Sequence, residues 1–209
     1  MNVILDTATR RQTLRETLLD AAEKAVAGSG LPALKARDLA REAGCALGAI
    51  YNVFSDLDQI ALAVNARTLG DLEAFLVERA QPGGEQPTAD TAIAGMVRLA
   101  SAYLDFAVAN TQRWRAVFDH RMAGGKPVPD WYLAEQMRLF GFVEMPLAVL
   151  LPNESAHDRA ALARSLVSAV HGMVALGLEE KLQALPVDQL RRQIALVVTT
   201  IGKGLLTRG

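Results

Sequence analysis

The stretch from Leu39 to Phe54 leaves this chain the fewest ways to fold. Ala36, Leu39, Ala40 and Ala43 recur at the three- and four-residue spacing of one helix face, and Ala46, Ala49, Ile50 and Val53 repeat it directly afterwards. Between the two lies Gly44, the residue type that ends a helix in the left-handed backbone region at no Cβ penalty. Two short helices joined this tightly make a helix-turn-helix, whose second helix fits the major groove of DNA. Opposite the apolar face, that second helix carries Leu47, Gly48, Tyr51 and Asn52.

Charge adds no general attraction for nucleic acid. Through Asn65 there are seven Lys/Arg against eight Asp/Glu, and the whole chain carries a formal net charge of -1. DNA binding would therefore rest on placed contacts and helix N-termini rather than on a broad positive field. With 51% apolar and 22% charged residues the composition is that of a folded chain, and 209 residues suffice for one large or two small domains. No run approaches the roughly 18 uninterrupted apolar residues of a membrane span, and the N-terminus lacks the order of a signal peptide. The expectation is a cytoplasmic protein with no membrane attachment. Cys45 is the single cysteine, which excludes an internal disulfide and a thiolate metal cluster.

Helical periodicity runs through the rest of the chain. Residues 10–27 form an amphipathic helix, and Arg10 and Arg11 at its start are either solvated or an arm into the minor groove. After the helix-turn-helix, Ser55-x-x-Asp58 reads as a cap for a long helix to about Arg79. Gln81–Pro87 and Ala123–Pro129 are Gly/Pro loops. Pro146 should kink or break a helix over 130–151, and a further helix from Ser155 should run to about Leu185 before a last one over 188–206. No strand alternation and no internal repeat is present. The fold class is all-α with about nine helices, divided into a three-helix domain over 1–56 and a larger helical domain over 57–209.

Aromatic residues are scarce, yet most lie between 103 and 142. Tyr103, Phe106, Trp114, Phe118 and Met122, followed by Trp131, Tyr132, Met137 and Phe140, either fill a plain core or line a cavity for a hydrophobic effector. His171, beside Gly172, is either a hydrogen-bonded core histidine or a ligand contact. The last two helices are apolar on more than one face. Leu166, Val170, Gly172 and Met173 on one, with Val198, Ile201 and Gly202 on the other, are candidates for contact with a second subunit. Nothing points to catalysis: there is no Gly-rich phosphate loop, the three histidines lack metal-ligand spacing, and Ser168 with His171 has no visible third group. No enzyme activity, cofactor or metal is expected.

The spacing Leu39-Ala40-x-x-Ala43-Gly44-x-x-x-Gly48-x-Ile50-Tyr51-x-x-Phe54, followed by a long helix and an all-α remainder, resembles the TetR family of transcriptional repressors. Trp114 and His171-Gly172 are similar, more loosely, to the TetR-like subgroup whose effector domain carries a Trp and a His-Gly pair. The resemblance implies a homodimer that binds operator DNA through its N-terminal domain and a small-molecule effector through its C-terminal domain. It implies a recognition helix over Ala46–Asn52, with Leu47 and Asn52 at base-reading positions, Gly48 close to the DNA backbone and Tyr51 on a phosphate. Lys35 and Arg37 fall at phosphate-contact positions. Family members often carry Ser or Thr at 46, a polar or basic residue at 47, His at 53 and Lys at 57; here these are Ala46, Leu47, Val53 and Leu57. The alternative is a helical binding or scaffolding protein of the same fold that no longer reads DNA.

Overall fold

The computed structural model describes residues 2–80, 87–179 and 185–207, and the side chains of all of these except 2–6 and 80. The described residues form nine α-helices: α1 (Asn2–Ser29), α2 (Ala36–Glu42), α3 (Leu47–Tyr51), α4 (Leu57–Ala80), α5 (Ala89–Ala109), α6 (Thr111–Asp119), α7 (Asp130–Leu150), α8 (Ala156–Gly177) and α9 (Val187–Leu206). Among the described residues there is no strand. The chain is all-α, as its periodicity requires. Of the loop expected over Gln81–Pro87, residues 81–86 lie outside the described residues.

The helix bounds decide three local expectations. Helix α1 begins at Asn2, so Arg10 and Arg11 sit on its exposed side and do not form an arm. Helix α7 continues through Pro146 to Leu150 without a break. Helix α8 stops at Gly177, short of Leu185; a Cβ at Gly177 would lie 2.6 Å from Leu190 Cδ2 of α9, so only glycine fits there.

The residues fall into two units. The first comprises residues 1–70 and 110–132, and the second 71–109 and 133–209. A linear division after residue 56 therefore does not follow the contacts. The first part of α4, with α6 and the segment behind it, packs with α1 to α3.

In the first unit Leu18, Ala22 and Val26 of α1 meet Leu39 and Ala40 of α2, Ile50 of α3, Phe54, Ile60 and Val64 of α4, and Ala116 of α6. Each fully buried Leu, Ile or Val contributes about 1.5–3 kcal/mol by leaving water. Asn65 is fully buried on α4, and its Nδ2 donates to the Ala116 carbonyl at 3.0 Å. On the outer side, the Arg67 guanidinium holds Glu16 at 2.6 Å, Asp20 at 2.7 Å and Glu23 at 3.1 Å, and Arg113 reaches Glu23 at 3.0 Å. Partial burial opposes the charge on Arg67, but its bonds to Asp20, Glu23 and Glu16 outweigh that and raise its pKa.

In the second unit α5 and α9 pack closely. Ile93 of α5 lies against Gly202 of α9, where a Cβ would come within 2.8 Å of it, and Leu190, Ile194, Val198 and Leu205 of α9 are buried. Arg191 of α9 pairs with Asp105 of α5. Helices α5 and α8 are each long and apolar enough to cross a membrane by length and composition, but only 22% of the α8 window is buried within the chain.

Candidate nucleic-acid interface and effector-domain residues

The turn between α2 and α3 is closed by backbone bonds that need Gly44. With φ at 65°, Gly44 occupies the left-handed region, its N–H donates to the Arg41 carbonyl at 3.3 Å, and the Cys45 N–H donates to the Ala40 carbonyl at 2.9 Å. This pair of bonds is the Schellman arrangement, and it satisfies carbonyls that the end of α2 would otherwise leave open. Ala46 then serves as the N-cap of α3 in extended conformation, without a side-chain cap, and Asn52 is the C-cap. Ile50 turns inward and is fully buried.

The outward face follows from that anchoring. Lys35, the N-cap of α2, and Arg37 in its first turn are exposed, as are Ala46, Leu47, Gly48, Tyr51 and Asn52. Leu47 is 41% and Tyr51 51% exposed, although a leucine and a tyrosine have apolar surface to lose. A Cβ at Gly48 would meet no atom within 4 Å, so the fold makes no use of its small size.

Helix α4 starts from a reciprocal cap that the sequence pattern placed on the wrong residues. Asp56 Oδ1 accepts from the Gln59 N–H at 2.9 Å, and Gln59 Oε1 accepts from the Ser55 N–H at 3.0 Å. Asp58, expected to take part in that cap, is instead buried and accepts from the Ala123 N–H at 2.9 Å, with His120 Nε2 3.4 Å from its other oxygen. Lys126 lies 3.3 Å from Asp56 Oδ2. Neither His120 nor Lys126 carries a local signal of this placement, since their partners lie about 60 to 70 residues earlier in the chain.

The ten residues expected to line one cavity, buried Tyr132 of the first unit among them, divide between the units. Trp114, Phe118, Met122 and Trp131 belong to the first, where Trp114 is buried with its ring 5.7 Å from that of Phe118. Met122 and Trp131 line a cleft of about 570 Å³ together with Arg15, Phe54 and Asp56. Tyr103, Phe106, Met137, Phe140 and His171 belong to the second unit. There Tyr103 Oη and His171 Nδ1 are hydrogen-bonded at 2.8 Å, both half-buried, while Phe106 is buried edge-on to Phe75. Met137 is exposed and Phe140 half-buried on α7.

The candidate subunit contacts also divide. Leu166, Val170, Gly172 and Met173 on α8 and Ile201 on α9 keep part of their surface open, and a Cβ at Gly172 would meet nothing within 4 Å. Val198 and Gly202 are corrected: both are buried, and Gly202 receives Ile93 of its own chain. Leu176 and Leu196 are exposed on the same two helices and belong with the open set, a placement their apolar character already suggested.

Comparison with known proteins adds a family. Residues 96–200 match the family described as "Tetracyclin repressor-like, C-terminal domain". Against curated proteins the sequence finds no match. Among solved structures, a protein of unknown function from Rhodococcus sp. RHA1 is similar at 26% identity and a TM-score of 0.68, covering 92% of this chain and 95% of that one. A transcriptional regulator from the same organism is 23% identical, with a TM-score of 0.63 over 91% of this chain and 96% of its own. A TetR family transcriptional regulator, PfmR from Thermus thermophilus, is 16% identical, with a TM-score of 0.55 over 91% and 97%. At these identities the last two speak to the fold.

Proposed function

This chain belongs to the tetracycline-repressor-like (TetR) family of transcriptional regulators, and we propose that it acts as a homodimeric repressor that releases a palindromic operator when a small, largely hydrophobic effector enters its C-terminal helices. The family is one of regulators, not of enzymes. One observation carries the reading. Leu47 and Tyr51 stand out in solvent on a helix whose other face is locked into the core, and nothing in the fold accounts for their exposure.

On DNA, α3 of each subunit lies in the major groove. Tyr51, Lys35 and Arg37 bind phosphates, Asn52 meets an adenine edge and Leu47 a thymine methyl, which favours half-sites containing A·T pairs. Gly48 lets the helix backbone approach closely. The second subunit docks on α8, an apolar helix left largely uncovered in the single chain, through Leu166, Val170, Gly172 and Met173, with Ile201 of α9 beside them. Tyr103 and His171 are the polar anchors for an otherwise apolar effector. The effector must bind one separation of the two reading heads better than the other, since equal affinity would shift nothing. Helix α4, continuous from Leu57 to Ala80, carries the change. Working on the chromosome, the protein is cytoplasmic.

Titrating the protein against the DNA upstream of its own gene at several salt concentrations tests this. A repressor gives a site-specific complex with a negative salt slope that weakens in Tyr51→Phe and vanishes in Gly48→Arg. Ala46, Leu47, Val53 and Leu57 supply no polar contact, which favours a second reading, a scaffold of the same fold that has lost DNA binding. Absence of any preference over random DNA at low salt would select that reading and overturn the first.

A further inference from the structure

The cleft in the first unit serves no purpose in the repressor mechanism, and its walls are chemically specific. At about 570 Å³ it falls in the range of small-molecule sites. One side is apolar: Met122 and Pro129 of the segment behind α6, and Trp131 in the first turn of α7, 49% exposed. Phe54, at the α3–α4 turn, lines the other side. The rim is cationic. The Arg15 guanidinium lies over the Phe54 ring, 5.2 Å from its centroid, and its nearest carboxylate is Glu16 at 3.6 Å. That carboxylate is already committed to Arg67 at 2.6 Å and to Gln12 at 2.7 Å. Lys126 stands beside Asp56, whose other oxygen is taken by the Gln59 N–H. The charged groups lining the cleft are thus two cations, Arg15 and Lys126, and one carboxylate, Asp56, which has a backbone donor of its own.

We propose that this cleft binds a small, flat aromatic carboxylate, its ring against Trp131 and Met122 and its carboxylate between Arg15 and Lys126. A planar carboxylate matches the guanidinium fork with two parallel hydrogen bonds. A ring stacked on the indole removes apolar surface from water on both partners. A cation meets Asp56 only by displacing Lys126, and a neutral ring forgoes the charge-assisted contact with the two rim cations. The ligand bridges the segment behind α6 to the turn that follows α3, one residue from the Asn52 C-cap. This site is separate from the effector reading of the second unit, and its test needs no DNA.

Isothermal titration of the full chain with 1-naphthoate should give saturable binding of one molecule per chain at about 1 mM or tighter. The neutral 1-naphthamide, and the Arg15→Gln and Trp131→Ala variants with the carboxylate, should each bind about tenfold more weakly. Binding weakened by Tyr103→Phe but not by the rim variants would place the ligand in the second unit and overturn the proposal. Should Arg15→Gln melt early, Lys126→Gln, altered at an exposed position, supplies the same comparison. No saturable heat, or equal affinity for the carboxylate in the rim and Trp131 variants, would overturn the proposal.

Discussion

The carboxylate of Asp58, in the first turn of α4, accepts a hydrogen bond from the Ala123 backbone N–H at 2.9 Å, 65 residues further along the chain. Its other oxygen faces His120 at 3.4 Å. The bond ties the segment behind α6 to the helix that follows α3.

Replacing Asp58 with Ala leaves the Ala123 N–H without its acceptor in a part-buried place, at a cost of about 1–3 kcal/mol. Thermal unfolding followed by circular dichroism should show a midpoint lower by about 2–4 °C for each kcal/mol lost. Asp58→Asn keeps an acceptor and should recover most of that difference.

Gly202 and Gly172 look alike in the sequence and should behave oppositely. A side chain at Gly202 meets Ile93 within 2.8 Å, so Gly202→Leu overpacks the α5–α9 contact and should cost about 1–3 kcal/mol or more. A Cβ at Gly172 meets nothing within 4 Å, so Gly172→Leu should leave the melting of the isolated subunit unchanged while halving the mass measured by light scattering. An unchanged mass would remove Gly172 from the proposed interface.

The bond from the Gln59 N–H is the chief cause holding the Asp56 carboxyl below its ordinary value; slight burial works against it, and Lys126 and Ser55 assist. A folded-state pKa below the unfolded one means stability that is fully present above the unfolded value, about 3.9, and is lost as pH falls through the folded value. Asp56→Ala should therefore cost about 1 kcal/mol near neutrality, as for the loss of an N-cap. The gap to the unaltered protein in urea midpoints should close as the pH drops below about 4.

On DNA, Lys35→Gln and Arg37→Gln should each lower the salt slope by about 1 per subunit and weaken all sequences alike, whereas Asn52→Ala should flatten the preference at one base pair. Equal slopes before and after the Lys35 and Arg37 substitutions would take these residues off the phosphates.

The helix-turn-helix was legible because everything that makes it is local. The apolar spacing from Leu39 to Phe54 sets which faces are buried, and the positive φ at Gly44 is a requirement of one residue type at one place. From that anchoring the exposure of Leu47, Tyr51 and Asn52 follows without further information. The effector-domain residues were legible only as a composition: aromatic content between 103 and 142 does not say that Tyr103 finds His171 while Trp131 finds the cleft beside Arg15.

By itself, then, the sequence determined the all-α class, the turn at Gly44 and the outward face of α3, since helical periodicity and backbone conformation act within a few residues. Only the tertiary structure decided that Asp58 holds Ala123 rather than capping its own helix, that α6 joins the unit of α1 to α3, and that Gly202 accommodates Ile93. Those contacts join residues far apart in the chain. A small or acidic residue on a helix looks the same whether its partner lies in its own turn, elsewhere in its chain or on a second copy.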